Sequence, residues 1–339
     1  MIEGWVEVSQ ESLSLAQAEV VAAAEAVGGS ALRSDPLLPE LVAVEVPSEQ
    51  SWAMLAKRLA LARRCLVVRS DHDSLEAAAA REGRRGGSAA FRRIGAPSGG
   101  GVDTAVLDCG RAYTSAGGRI DLVHPARRYW LVRDSRDADL LLEEVASVDR
   151  SGPAQRVMPS LPFRRPVSLP PRLARAAANL ARVSPGQRVL DPFLGTGALL
   201  AEAGLLGARL YGIDRDPAMV RGALRNLSHL GVTAEALVVG DARQVEFDDP
   251  SIVFGAIVTD PPYGRSSSTG GEASVDLVHE VVDRWWPRVA PGGRLTLIVP
   301  SGRDLPDIDG TLRVRVPVRV HRSLTREFCV YERANVSRS

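Results

Sequence analysis

The most informative segment of this chain is Asp191-Pro192-Phe193-Leu194-Gly195-Thr196-Gly197. It follows a short apolar strand pattern, Arg188 to Leu190, and precedes a helical pattern over Ala198 to Leu206. Two glycines at a strand-to-helix turn let a ligand approach the backbone, and open parallel sheets bind their ligands at this carboxyl edge. The segment therefore predicts a ligand site at the first turn of a parallel α/β sheet.

Two further strand patterns each end in an acidic residue. Arg209 to Ile213 ends at Asp214, and Leu237 to Val239 is followed by Gly240-Asp241-Ala242. The first carboxylate can accept hydrogen bonds from both ribose hydroxyls and the second from an adenine amino group, although each could equally cap the next helix. A leucine stands where a dinucleotide fingerprint has its third glycine, so the pattern indicates an adenosine ligand without phosphates. The candidate cofactor-binding residues are Asp191, Phe193, Gly195, Thr196, Gly197, Asp214, Asp241 and Ala242.

A fourth strand pattern, Ala256 to Val258, leads into Asp260-Pro261-Pro262-Tyr263-Gly264. The two prolines fix the backbone, so the Asp260 carboxylate and the Pro261 carbonyl can address one amino group. An exocyclic nucleobase amine is a poor nucleophile, and two acceptors on its hydrogens help to localise its lone pair toward a methyl sulfonium. Tyr263 can stack on the base. The candidate catalytic residues are Asp260, Pro261, Pro262 and Tyr263; the alternative is a Pro-Pro turn whose aspartate caps a helix.

The first 150 residues have a different pattern. Strands and helices over residues 1–70 alternate as β-α-β-β-α-β. From Asp71 the sequence predicts one helix and three strand-like segments, namely Ser74 to Glu82, Ala89 to Ile94, Thr104 to Leu107 and Tyr129 to Arg133. A proline-punctuated linker, Pro153 to Pro171, precedes the parallel α/β region that begins at Arg172.

Composition places the chain among ordinary globular proteins. Its 339 residues are 45% hydrophobic and 24% charged, enough for two or three domains. The three cysteines, Cys65, Cys109 and Cys329, lack the spacing of a metal site, so we expect reduced packing residues and no metal. The sequence has no signal-peptide pattern and no membrane-length apolar run, so we expect a soluble, cytoplasmic protein with no membrane partner.

Charge is unevenly distributed along the chain, although the net charge is only +1. Residues 151–188 hold seven arginines and no acidic residue, whereas residues 1–70 hold six basic and nine acidic residues. A basic segment of this kind can bind a phosphate backbone through ionic contacts and counterion release. A solvated linker is the alternative.

The motifs together resemble a known class of enzymes. Residues 191–197 and 260–264 are similar to the class I amino-methyltransferases, which act on DNA adenine and RNA guanine. Arg172-Leu173-Ala174-Arg175 and His321-Arg322-Ser323-Leu324-Thr325-Arg326 resemble the archaeal tRNA guanosine-10 N2-methyltransferase family. Gly118-Arg119-Ile120-Asp121-Leu122-Val123-His124-Pro125 resembles the end of a THUMP domain, the RNA-binding module of that family. The resemblance covers most of the chain.

The resemblance implies an α/β fold, with a class I (Rossmann-like) methyltransferase domain preceded by α+β ferredoxin-like and THUMP domains. The implied boundaries are 1–70 for the ferredoxin-like domain, 71–150 for THUMP, 151–171 for a linker and 172–339 for the methyltransferase. S-adenosylmethionine is the implied cofactor and tRNA the implied partner of a monomer, with a small activator protein as a further possibility. The chain departs from the family at Leu194, usually cysteine, and in its linker at Ser168-Leu169-Pro170-Pro171.

Several basic residues are candidates for contacts to RNA. They flank a glycine-rich loop, follow the Pro125 turn or lie in the 321–326 segment, where they could hold phosphates without sequence specificity. Any single arginine could instead be a solvated surface residue. The candidates are Arg84, Arg85, Arg92, Arg93, Arg127, Arg128, His321, Arg322 and Arg326.

These observations leave several functions open. The first is methylation of the N2 amine of a tRNA guanosine, with guanosine-10 as the implied target. The same chemistry could act on another tRNA position, on ribosomal RNA guanine or on DNA adenine, although an RNA-binding front domain disfavours DNA. A catalytically idle RNA-binding scaffold is disfavoured because the acids at all four strand ends are intact. A nicotinamide-dependent oxidoreductase is the remotest alternative.

Overall fold

A computed structural model describes most residues of the chain. At four of them it describes the backbone but not the side chain: Arg33, Ala273, Ser274 and His321. The described residues are 1–34, 38–70, 74–95, 103–133, 139–148, 160–165, 168–262, 273–321 and 324–335. The chain folds into two compact units. The first comprises Met1–Leu13, Val27–Lys57 and Ala62–Val148, and the second Ser14–Ala26, Arg58–Leu61 and Asp149–Ser339.

The strands of the first unit form one eight-stranded sheet in the order β2-β3-β1-β4-β8-β7-β5-β6. The strands are β1 (Ile2–Val8), β2 (Ser30–Ser34), β3 (Leu41–Val46), β4 (Ala62–Val68), β5 (Ser88–Arg93), β6 (Arg119–Ile120), β7 (Arg127–Arg133) and β8 (Asp139–Ser147). The helices within this part of the sequence are α1 (Leu13–Ala26), α2 (Glu49–Arg58), α3 (Leu75–Gly83) and α4 (Thr104–Ser115). The predicted β-α-β-β-α-β order of residues 1–70 is confirmed.

The first sheet continues across the predicted boundary at residue 70. Strand β4 pairs antiparallel with β8 from Arg64 opposite Ser147 to Val68 opposite Leu142. Apolar side chains of both segments share a core, in which Trp5 and Leu66 pack with Trp130. The assignment of residues 1–70 and 71–150 to separate ferredoxin-like and THUMP domains stays a prediction.

One predicted strand is wrong: Thr104 to Leu107 forms the first turn of α4. Asp103 caps this helix, and its carboxylate accepts a hydrogen bond from the Val106 backbone N–H at 3.3 Å. The buried residues Cys109 and Tyr113 continue the helical spacing beyond the predicted strand. A short apolar run is compatible with a strand or a helix. Here the Asp103 cap and the helical spacing that extends to Tyr113 favour the helix.

The second unit contains a seven-stranded sheet in the order β11-β10-β9-β12-β13-β15-β14. Its strands are β9 (Arg188–Asp191), β10 (Arg209–Asp214), β11 (Ala234–Val239), β12 (Phe254–Thr259), β13 (Val289–Pro300), β14 (Thr311–His321) and β15 (Leu324–Glu332). Its further helices are α5 (Pro171–Leu180), α6 (Ala198–Leu205), α7 (Pro217–His229) and α8 (Ala273–Trp285). Strands β9 to β13 pair in parallel, as predicted, and β15 runs antiparallel between β13 and β14.

Helix α1 belongs to this second unit through a buried polar network. The Glu19 carboxylate accepts backbone N–H groups of Ala60 at 2.9 Å and Leu61 at 2.8 Å. Asn179 on α5 donates to Glu19 at 2.7 Å and accepts from the Arg58 guanidinium at 3.0 Å. Buried polar groups cost free energy unless they are paired, so this network fixes α1 and residues 58–61 on α5.

The apolar core of the second unit contains a cluster of aromatic rings. Tyr211, Phe247, Phe254 and Trp285 lie with ring centroids 5.4 to 6.0 Å apart. Such edge-on and tilted pairs add to the free energy gained from burial. None of the described helices is long and apolar enough to cross a membrane.

Candidate active site

The two sequence motifs meet where the strand order of the second sheet reverses. Strands β9, β10 and β11 extend the sheet in one direction, and β12 pairs with the other side of β9, with Ala256 opposite Val189. The carboxyl ends of β9 and β12 therefore lie side by side, at the kind of switch point where open α/β sheets bind ligands. Asp191 ends β9 and Asp260 directly follows β12.

Asp191 is buried at this switch point, with 1% of its surface exposed. Its Oδ1 accepts hydrogen bonds from the Thr259 hydroxyl at 2.8 Å and from the Phe193 backbone N–H at 3.1 Å. Burial raises the pKa of Asp191 to about 7 despite these two hydrogen bonds, and the nearby Asp260 and Asp214 carboxylates also raise it. The charged form of Asp191 is costly without a cation, so this position suits a positively charged ligand.

The glycine-rich turn after β9 leaves space for a ligand beside the backbone. Gly195 and Gly197 have φ angles of +52° and +81°, which favour glycine. A Cβ on Gly197 would lie 3.0 Å from the Ala223 Cβ of α7, so this glycine also permits close helix packing. A Cβ on Gly195 would meet nothing nearer than the Phe193 carbonyl oxygen at 3.9 Å. The side of Gly195 that faces this space is therefore open to a ligand.

Asp214 is tied to the glycine turn. Its Oδ2 accepts the Gly195 backbone N–H at 2.8 Å, and its Oδ1 accepts the Asp216 backbone N–H at 2.9 Å. Burial raises the pKa of Asp214 in spite of these bonds. Each carboxylate oxygen keeps further acceptor capacity, so Asp214 can both hold the turn and accept ligand hydroxyls.

Asp241 lies in a wetter part of the same sheet edge, with 31% of its side chain exposed. The Arg243 guanidinium donates to Oδ1 at 3.0 Å and to Oδ2 at 2.6 Å, and also reaches Glu280 at 3.0 Å. The hydrogen bond from Arg243 lowers the pKa of Asp241. The following residue, Ala242, is buried, and its carbonyl accepts the Trp285 indole N–H at 2.9 Å. The adenine acceptor predicted at Asp241 is thus shared with an arginine.

Asp260 forms an ion pair with Arg326, a residue of β15. Their side chains are 16% and 11% exposed. The Arg326 guanidinium donates to Oδ2, whereas the buried Oδ1 has no hydrogen-bond partner among the residues that the structure describes. Burial raises the pKa of Asp260 to about 6, against the lowering effect of Arg326. The site therefore presents one unsatisfied acceptor oxygen.

The floor of the site is apolar. Pro261 lines a small pocket together with Phe193, Thr259 and the α8 residues Val278 and Trp285. Pro262 is half-buried. Tyr263 and Arg322 lie outside the described residues, as does the side chain of His321. In the described part of the chain, no group of three or more His, Cys, Asp or Glu residues could hold a metal ion.

Comparisons with known proteins agree with this geometry. The UPF0020 model, an RMKL-like methyltransferase domain, matches residues 161–327. The tRNA (guanine(10)-N2)-dimethyltransferase of Methanothermobacter thermautotrophicus is 40% identical over 220 residues, which cover 63% of this chain and 64% of that protein. The probable tRNA (guanine(10)-N2)-dimethyltransferase of Methanothermococcus thermolithotrophicus is 32% identical over 169 residues, covering 48% of this chain and 99% of that protein. The chain belongs to the tRNA (guanine(10)-N2)-methyltransferase family. It spans 64% of the M. thermautotrophicus relative, just under two thirds.

A solved structure shows the fold of this family member. The chain is similar to the crystal structure of TrmN from Thermus thermophilus, with a TM-score of 0.50 and 23% sequence identity. The match covers 98% of this chain and 99% of TrmN. The predicted class I methyltransferase fold and the predicted family are confirmed.

The arginines predicted to contact RNA fall into two groups in this family member. Arg84, Arg92 and Arg128 are exposed. Arg93 is only 10% exposed and forms ion pairs with Asp103 and, at 3.2 Å, with Asp139. The other two also have partners within the protein: Arg85, although exposed, contacts Glu82 at 2.7 Å, and Arg127 donates to the Gly86 carbonyl at 3.0 Å. The structure does not bring the six together as one free cationic surface.

Sequence reasoning missed a polar contact that holds the start of the domain against the glycine turn. Asn226 of α7 is buried; its Oδ1 accepts the Phe163 backbone N–H at 3.0 Å, and its Nδ2 donates to the Phe163 carbonyl at 3.1 Å. The same Nδ2 donates to the Thr196 carbonyl at 3.0 Å, while the Thr196 hydroxyl lies 2.9 Å from that of Ser168. In the sequence, this contact is indicated only by Asn226 itself, a polar residue on the otherwise apolar face of α7.

Proposed function

We propose that this protein transfers a methyl group from S-adenosylmethionine to the exocyclic N2 amine of a guanosine in tRNA, with guanosine-10 as the target. The single observation that carries this proposal is the buried Asp260 Oδ1, which lacks a partner among the described residues beside Asp191 at the switch point. A buried acceptor without a partner costs free energy, and a donor group of the substrate would satisfy it. The names of the archaeal relatives support a guanine amine as that donor.

The residues present fit S-adenosylmethionine. This cofactor supplies an electrophilic methyl group on a sulfonium. The open side of Gly195 accommodates the ligand close to the backbone, and Asp214 offers acceptors for the ribose hydroxyls. The positive charge of the bound cofactor would stabilise the buried Asp191 carboxylate. Asp241 and Ala242 contact the adenine, with Arg243 sharing the Asp241 oxygens. Phe193, Thr196 and Gly197 complete the proposed cofactor site.

Asp260 and Pro261 act on the methyl acceptor. The Asp260 Oδ1 and the Pro261 carbonyl accept the two hydrogens of the guanine N2 amine, which localises the nitrogen lone pair for attack on the methyl carbon. As the nitrogen–carbon bond forms, the carbon–sulfur bond breaks and its electron pair stays on sulfur. Asp260 then takes the proton that the alkylated amine loses and releases it to solvent. Pro262 restrains the turn, and Tyr263 is proposed to stack on the base.

Binding of tRNA is proposed for the first unit. Residues 1–70 would form the ferredoxin-like domain and residues 71–150 the THUMP domain, with residues 151–171 as linker and 172–339 as the methyltransferase domain. We propose that the exposed arginines Arg84, Arg92 and Arg128 contact phosphates. The protein would act as a cytoplasmic monomer, with a small activator protein as an optional partner.

The experiment is to incubate the full chain with unmodified tRNA transcripts and methyl-labelled S-adenosylmethionine, and to map the labelled nucleotide. We expect label on N2 of guanosine-10, and a transcript with adenosine at that position serves as the control. Label on another nucleotide would assign a different target. Cofactor binding without any transfer would favour the idle scaffold, and transfer to ribosomal RNA instead would move the substrate outside tRNA.

A further inference from the structure

The ion pair between Asp260 and Arg326 spans one strand of the second sheet. Strand β13 lies between β12, which Asp260 follows, and β15, which carries Arg326. Arg326 is the ladder partner of Pro300, the last residue of β13. The arginine side chain therefore reaches Asp260 past the carboxyl end of β13, at the edge where the site lies. Its side chain is 11% exposed, so the pair is largely shielded from solvent.

The two carboxylate oxygens of Asp260 differ in their hydrogen bonding. The Arg326 Nη1 donates to Oδ2, whereas Oδ1 is buried and without a partner among the described residues. A bidentate arginine–carboxylate contact would satisfy both oxygens, whereas this contact satisfies Oδ2 alone. Here the arginine fixes the orientation of the carboxylate and keeps one acceptor free.

We propose that Arg326 is a positioning residue for the methyl transfer: it anchors Asp260 by Oδ2, directs Oδ1 at the amine of the target base and keeps the carboxylate ionised. This inference rests on the proposed function. It assigns Arg326 to the active site, instead of to RNA as its sequence context suggested. The arginine acts through Asp260 and touches neither the reacting nitrogen nor the methyl carbon.

The charges around Asp260 explain why a cation is needed there. Among the described residues, the charged groups acting on Asp260 or on its neighbour Asp191 are Arg326, Asp214 and the two aspartates themselves. Burial raises the pKa of Asp260 to about 6, and Arg326 is the cation that lowers it. Without Arg326, burial would favour the protonated acid at neutral pH. A protonated acid loses an acceptor and cannot take the amine proton.

Arg315 provides a matched control on the same hairpin. It lies on β14 and pairs with Glu327, the residue after Arg326, at 2.8 Å. Its side chain is 45% exposed. Arg315→Gln therefore breaks an arginine–carboxylate pair of β14 and β15 without touching Asp260. Any effect of Arg326→Gln that comes from the hairpin itself should also appear in Arg315→Gln.

The test measures the single-turnover rate of methyl transfer to unmodified tRNA from about pH 5 to about pH 9. We expect Arg326→Gln to lower the rate at neutral pH about tenfold or more, and the rate to recover as the pH rises. Arg326→Lys, which keeps the charge, should restore most of the neutral-pH rate, and Arg315→Gln should behave as wild type. Equal loss at every pH, or weaker tRNA binding with an unchanged pH profile, would overturn the inference.

A second readout separates this inference from the proposed function. The Asp260 carboxyl is titrated by carbon NMR in the full chain, with Asp260→Asn identifying its signal. We expect a higher pKa of Asp260 in Arg326→Gln than in wild type. If wild type methylates no tRNA but this pKa still rises, the proposed function fails and the ion pair keeps its role. If tRNA is methylated and the pKa is the same in both proteins, the inference about Arg326 is wrong.

Discussion

The two ends of the candidate site use aspartates in opposite ways. At the switch point, Asp191 is buried and Asp260 is largely shielded from solvent, and this desolvation raises their pKa values to about 7 and about 6. Asp241, farther along the sheet edge, is partly exposed, and Arg243 lowers its pKa. The same residue type at strand ends of one sheet edge is therefore costly to ionise at the proposed methyl-transfer end and easily ionised at Asp241, the proposed adenine contact. Burial at Asp191 and Asp260, and the hydrogen bonds from Arg243 at Asp241, set how readily each acid ionises.

The largest expected effect is that of Asp260→Ala. Loss of the acceptor that addresses the amine should lower the rate of methyl transfer about a thousandfold or more. The affinity for S-adenosylmethionine should stay within about threefold, because Asp260 does not face the cofactor in the proposed arrangement. Single-turnover assays and a calorimetric titration measure the two quantities. Asp248→Ala, at an exposed aspartate, is the control, and an Asp260→Ala protein with wild-type turnover would remove the residue from the mechanism.

Asp191→Asn should have two opposite effects. The folded protein holds the Asp191 proton up to a pKa of about 7, against an ordinary value of 3.8, so this carboxyl lowers the stability of the cofactor-free protein as the pH rises between these values. The amide keeps the two hydrogen bonds at Oδ1 and removes the charge, so the free energy of unfolding at pH 8 should increase on the order of 2 kcal/mol. Cofactor affinity should fall about tenfold or more.

Denaturant unfolding and cofactor titration test this pair of effects. Asp283→Asn, at an exposed residue of α8, is the matched control and should change neither quantity. A protein that loses stability at pH 8 on Asp191→Asn would show that the charge is already compensated without the cofactor. That result would break the contrast between the buried and the exposed end of the site.

Asn226→Ala should weaken the adenosine end through the glycine turn. It removes the donor to the Thr196 carbonyl and both contacts to the Phe163 backbone, all within a buried region. We expect a loss of about 2 kcal/mol in the free energy of unfolding and a several-fold weaker cofactor affinity. Ser228→Ala, two residues further along α7, is the control, and an unchanged cofactor affinity would show that the turn keeps its position without Asn226.

The smallest expected effect is that of Arg243→Gln. This change frees the Asp241 oxygens, and we expect cofactor affinity to rise by no more than about threefold, because exposed ion pairs are weak. The difference in cofactor affinity between the variant and the wild type should shrink at high salt, because salt screens exposed charges. Isothermal titration at two salt concentrations measures it. A fall in affinity would indicate that Arg243, and not Asp241, contacts the ligand.

The sequence predicts site residues well where they lie at the carboxyl ends of parallel strands. The acids at the ends of β9, β10 and β12 are predictable because carboxyl ends of parallel strands meet at one edge. The partner of Asp260 cannot be predicted in the same way. Arg326 lies 66 residues away, and its contact depends on the register of the β14–β15 hairpin past β13. Its basic neighbours suggest RNA instead.

Other contacts are hidden for related reasons. Phe163 and Asn226 are 63 residues apart, and their hydrogen bonds run to the backbone, which leaves no pattern in side-chain types. In the sequence, the largely shielded Arg93 cannot be told from a surface arginine; only the fold brings Asp103, the cap of α4, and Asp139 of β8 to it. Local periodicity predicts elements, whereas long-range polar pairing is set by tertiary packing.

The buried contact between Glu19 and Asn179 has a consequence for biosynthesis. These residues are 160 positions apart, so α1 leaves the ribosome long before α5 exists. The face of α1 that contacts α5 therefore stays without its partner until residues 171–180 have been translated. The two units are interleaved in the sequence, so a fragment that begins after residue 148 lacks Glu19 and the Arg58 carbonyl, the acceptors of Asn179 Nδ2. A minimal fragment would have to carry the helix that begins at Leu13.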